Sequence, residues 1–125
     1  PMAGFGASNK ANTLMNELIL DNQSYPLDKH GYLADLSLWS TDLAEEFARL
    51  EQITMTEAHW EVVNFVRAFY QEYQTSPAIR LLVKSMGEKL GADKGNSKYL
   101  FLLFPEGPAK QATRIAGLPK PAKCL

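Results

Sequence analysis

The stretch Glu57–Gln74 constrains this chain more than any other. Trp60, Val62, Val63, Phe65, Val66, Phe69, Tyr70 and Tyr73 crowd a segment that Thr56 can cap and that contains no Pro or Gly. That is too wide an apolar surface for one stripe of an amphipathic helix. The spacing therefore predicts a central helix that other elements surround. A chain of 125 residues, 46% apolar and 22% charged, has material for one compact domain with a core that needs no disulfide or metal.

The remaining elements follow from punctuation. Leu18-Ile19-Leu20, the polar Asp21-Asn22-Gln23 and the run Ser24–Leu27 suggest a β-hairpin, with Pro26 on an edge. Asp28-Lys29-His30-Gly31 reads as a second turn before Tyr32 and Leu33, which extends the hairpin region to about 17–33. Ser40 can cap a helix to about Leu50, along which Leu43, Phe47 and Leu50 form one stripe. Thr75-Ser76-Pro77 reads as a cap followed by Pro in the first helical turn, with a helix from Pro77 to about Leu90. Tyr99–Phe104 suggests a short buried helix, and Pro108–Ala116 a last one with Gly117 as its left-handed C-cap. The fold class expected is mainly α (α+β): an orthogonal helical bundle with a helix-turn-helix-like pair, a small N-terminal hairpin and a flexible C-terminal arm. Residues 1–14 lack periodicity and are expected to be disordered or foreign to the native chain. Residues 15–116 form the domain, with helices over about 40–116, and 117–125 the mobile, extended and exposed arm.

Charge is unevenly spread. Residues 1–106 hold nine Lys/Arg against fourteen Asp/Glu, whereas Lys110, Arg114, Lys120 and Lys123 follow with no acidic side chain. A basic tail on an acidic body points to something negative as its partner, though four charges alone do not establish nucleic-acid binding. No apolar run of about 18 residues is present, so no membrane span is expected, nor does the N-terminus read as a secretory signal. A single cysteine suits a reducing cytoplasm.

That cysteine, Cys124, is the penultimate residue, after two prolines in five positions. Its place predicts an exposed thiol. Lys120 and Lys123 favour the nucleophilic thiolate, and the C-terminal carboxylate opposes them. Gly117, Pro119 and Pro121 make the arm, and nine residues from Gly117 span at most about 30 Å. A thiol on a stiff arm without a neighbouring base suits delivery into a partner's site better than self-contained catalysis. A Cys–His catalytic pair with His30 or His59 is conceivable, but nothing fixes a mobile Cys124 against either. His59 and Glu61 form an H-x-E triplet, but no paired cysteines follow, so neither a zinc deaminase nor another metal site is expected. No glycine pattern for a nucleotide cofactor occurs, and no cofactor is expected. Glu57–Gln74 with Pro77–Leu90 could form a DNA-binding pair, but Arg80, Lys84 and Lys89 suit a solvated face better.

The stretches TSPAIR, KGNS with the following YLFLLFPEGPAKQA, and GLPKPAKCL resemble the DsrC/TusE family, from about Glu17 to the C-terminus. The resemblance implies a mostly helical fold with a small hairpin. In that family the two-cysteine members partner dissimilatory sulfite reductase and carry thiols eleven positions apart. The last matches Cys124, while the other falls at Thr113. The chain therefore resembles the single-cysteine branch. That branch takes sulfane sulfur from a TusBCD complex onto the terminal cysteine as a persulfide. It passes the sulfur towards the tRNA 2-thiouridylase MnmA for 2-thiolation of wobble uridine. The resemblance thus implies a sulfurtransferase that acts as a carrier rather than as a stand-alone catalyst. A sulfite reductase partner, a non-catalytic regulatory protein and a nucleic-acid-binding helix-turn-helix are the competing readings.

Overall fold

The computed structural model of this chain describes residues 16–121. The expectations for residues 1–14, Lys123 and Cys124 lie outside them. Two strands, β1 (Glu17–Leu20) and β2 (Gln23–Pro26), pair antiparallel from Glu17↔Pro26 to Leu20↔Gln23. Asp21 and Asn22 form the turn at φ 52° and 66°. Positive φ at both central residues matches the right-handed twist of a hairpin, and Asp and Asn tolerate it better than other side chains do. Leu27↔Leu33 then bridges across a loop that the Asp28 carboxylate organises by accepting the His30 and Tyr32 amides.

A 3-10 turn at Leu36–Leu38 leads into five helices: α1 (Thr41–Leu50), α2 (Glu57–Tyr73), α3 (Ile79–Leu90), α4 (Ser97–Leu103) and α5 (Pro108–Ile115). The molecule is α+β and mainly helical, as the sequence pattern indicates. Ser40 caps α1 by accepting the Leu43 amide. Thr56 and His59 form a reciprocal box at the start of α2. Asn96 opens α4 two residues ahead of the expected start, accepting the Tyr99 amide.

Two expectations need correction. First, α2 is not the surrounded element. Its buried residues His59, Val62, Val63, Val66 and Phe69 follow a single stripe. Trp60, Phe65 and Tyr70 only flank the core, and Tyr73 is exposed. The hub is α5, which packs against each of the other four helices. Ala109 and Ala112 let those helices approach closely, while Ile115 fills the space between them. Burying an Ile of this kind contributes about 1.5–3 kcal/mol. Second, α3 begins at Ile79 rather than Pro77, and Ala78 occupies its N-cap without a side-chain hydrogen bond. The hydroxyl expected to cap it, that of Ser76, has another partner.

Candidate functional site

The end of α5 is closed by a Schellman motif. The Gly117 amide donates to the Arg114 carbonyl, and the Leu118 amide to Thr113, both at 3.1 Å. Gly117 takes φ 72° as the left-handed residue. It also lies against the face of Trp39: a Cβ built there would sit 2.3 Å from Trp39 Cδ1. Glycine is required twice over, by conformation and by contact.

Trp39 is held in turn. Its Nε1–H donates to the Ile115 carbonyl at 2.9 Å, and the Arg67 guanidinium stacks over its ring at 3.8 Å. Arg67 Nη1 donates to the Ala116 carbonyl at 2.8 Å. Burial lowers the Arg67 pKa from its ordinary value, while the stacked ring and the carbonyl give its charge partners. Two of the orphan carbonyls at the C-terminus of α5 are thereby satisfied from α2 and from the segment before α1.

Two residues further on, the Ser76 hydroxyl donates to the Pro119 carbonyl at 2.6 Å. Gly117, Leu118 and Pro121 are buried, and Pro119 and Lys120 half-buried. This corrects the picture of an arm exposed from Gly117 onward: Gly117–Pro121 lie packed on the body. The cause is the run of partners just described, which gives the backbone hydrogen bonds that prolines cannot obtain from a helix or a sheet. Pro121 borders an apolar cavity of about 250 Å³ with Ala78, Ile79, Phe101 and Pro108. Lys120 lines a separate, polar cavity with Lys29, Lys110 and Arg114. Lys123 and Cys124 lie beyond the described residues. Cys124 follows Pro121 by three positions, a reach of at most about 11 Å.

Beneath this arm base lies Thr113, fully buried, its Oγ1 without a hydrogen-bond partner among the described residues. This is the position at which the two-cysteine pattern would place its other thiol.

The remaining candidates do not converge. His59 is buried, accepts the Thr56 amide on Nδ1 and reaches the Leu103 carbonyl with Nε2 at 2.9 Å. It joins α2 to α4. Glu61 pairs with Lys94 at 2.8 Å, which raises the Lys94 pKa through their hydrogen bond. The H-x-E triplet is therefore split between two structural roles. His30 is exposed on the Asp28 loop. Among the described residues no group of three His, Asp or Glu side chains is placed to hold a metal ion. Arg80, Lys84 and Lys89 lie exposed on α3.

The sequence reading missed Trp39, Arg67 and Ser76. A signal existed for one of them: Arg67 is a lone cation between Val66 and Phe69 on an apolar helix, where a charge needs a partner.

A family model described as DsrC-like protein matches residues 19–125. The chain belongs to the DsrC-like family. A DsrC-like relative, the sulfurtransferase TusE homolog of Haemophilus influenzae, is 70% identical over 98 residues, covering 78% of this chain and 90% of that protein. Sulfurtransferase TusE of Escherichia coli is 57% identical over 108 residues, 86% of this chain and 99% of that one. The solution structure of DsrC from Allochromatium vinosum superimposes with a TM-score of 0.79 at 48% identity, covering 88% of this chain and 98% of that one. The DsrC-like fold thus accounts for the hairpin and the helices.

Proposed function

We propose that this chain is a sulfur carrier that holds a persulfide on Cys124. One observation carries the reading. The chain's single cysteine follows three residues after the anchored Pro121, in a sequence 70% identical to a named sulfurtransferase. The donor is a TusBCD-like complex and the recipient a MnmA-like thiouridylase working on tRNA. The Cys124 thiolate attacks the outer sulfur of the donor's persulfide. The donor's S–S bond breaks, the donor leaves as a thiolate, and Cys124 carries an S–SH group. A recipient thiolate then attacks that outer sulfur and Cys124 leaves as a thiolate, so no net oxidant is needed. Lys120 and Lys123 favour both thiolate states. The sole cysteine supports a cytoplasmic setting, and no helix among the described residues is long and apolar enough to cross a membrane.

Thr113 counts against the sulfite reductase reading, because a disulfide-forming step needs a second thiol that this chain lacks. The test is genetic complementation. Cells whose own carrier gene is deleted should regain tRNA 2-thiouridine with the wild-type chain and stay below about a tenth of that level with Cys124→Ser. Normal 2-thiouridine with the serine variant would refute the mechanism.

A further inference from the structure

The cations that make the C-terminal portion basic do not disperse over the surface. Lys110, Arg114 and Lys120 line one open cavity of about 510 Å³, and Lys29 and His30 join them from the Asp28 loop. Only Glu51 and Glu106 bring negative charge there. Glu51 is already engaged, its Oε2 accepting from Arg114 Nη1 at 2.6 Å. Among the described residues no ion pair holds Lys29, Lys110 or Lys120. Acidic side chains gather around a different concavity, where Asp21, Asp42 and Glu45 meet. On a protein of net charge −1, four of the thirteen Lys/Arg thus line one recess.

The recess is also built in advance of any ligand. Arg114 is fixed by Glu51 and by donating from Nε to the Gly31 carbonyl at 2.9 Å. Gly31 turns the loop at φ 84°, and the Asp28 carboxylate holds the neighbouring amides. Tyr32 Oη donates to the Lys110 carbonyl, tying the loop to α5. A fixed guanidinium among lysines suits a phosphate diester: with Nε and Nη1 engaged, Arg114 keeps Nη2 to give direction, and the ammonium groups give charge.

We propose that this recess is a phosphate-binding subsite that seats the sugar–phosphate backbone of RNA. The proposal rests on the carrier reading above, which places tRNA at the recipient, and it puts that RNA beside the arm through Lys120. The cavity is open and wider than one phosphate needs, and its cations come from three separate chain segments. That arrangement favours a continuous backbone over a free anion.

The test uses the full chain and a fluorescently labelled RNA stem-loop, with anisotropy read at stepped salt concentrations. Lys29→Glu combined with Lys110→Glu should weaken binding at least tenfold. It should also flatten the log–log salt slope by about 1.4, from two lost contacts at roughly 0.7 each. Lys84→Glu with Lys89→Glu makes the same change in net charge on the exposed face of α3 and should stay within twofold of wild type. Equal weakening by both pairs would overturn the proposal, as would an absence of RNA binding by the wild type. A second arm titrates inorganic phosphate while amide shifts of Gly31, Lys110 and Arg114 are followed. Saturation by phosphate without RNA binding would assign the recess to a free anion and reject RNA. Sulfur loading of Cys124 is measured separately. A chain that loads sulfur but ignores RNA overturns only this proposal, and one that binds RNA through the recess without loading overturns only the carrier.

Discussion

Thr113 carries a buried hydroxyl that no group among the described residues satisfies. A buried, unpaired hydroxyl costs about 1–3 kcal/mol in lost hydration. Valine has nearly the same shape without that cost, so Thr113→Val should raise stability by about 1 kcal/mol and the melting temperature by roughly 4 °C. Calorimetry on the two chains checks this, and a fall in melting temperature would show that the hydroxyl has a partner. The same residue limits chemistry as well as stability. With threonine here, Cys124 has no thiol within its own chain to close upon. That much was legible in the sequence, because it needed only residue identities and a spacing. The burial of Thr113 was not, because it depends on what four helices place around α5.

At the scale of elements, local chemistry was read well and recruitment poorly. Ser40 and Thr56 cap their helices and Gly117 ends α5 because each acts within three or four residues of its own position. Ser76 had the same local signature and does something else: it bonds Pro119, 43 residues away. No periodicity encodes that choice. The hub role of α5 was equally hidden, since its alanines contribute little to an apolar pattern yet decide how closely helices approach. Removing the Ser76 hydroxyl isolates its contribution. Ser76→Ala should cost about 1 kcal/mol locally, and so speed hydrogen exchange at the Gly117 and Leu118 amides about fivefold. Amides in α1 and in the middle of α2 should be unchanged. A uniform acceleration across the helices would mean that Ser76 supports the whole fold rather than the start of the arm.

For the whole molecule, the division of charge seen in the sequence becomes a division of surface. An acidic face and a basic recess lie on one small body, and the recess collects three of the four cations that follow Glu106. The sequence showed the asymmetry but not the recess, because Lys29 and His30 arrive from a loop some eighty positions earlier. The arm base joins these features. Trp39, Arg67 and Ser76 hold the segment from Ile115 to Pro119, and the adjoining apolar cavity and basic recess, which share Glu106 and Lys110, are lined by the next residues, Pro121 and Lys120. Ordering Gly117–Pro121 in advance lowers the entropic cost of any encounter that uses this segment.

Mass spectrometry of the C-terminal peptide tests most directly whether Cys124 carries the sulfur. After incubation with a persulfide donor, the peptide containing Cys124 should gain the mass of one sulfur atom. Reduction should remove that mass, and the Cys124→Ser chain should never acquire it. An unmodified wild-type peptide under conditions in which the donor loads another thiol protein, or the same gain on the serine chain, would contradict the account.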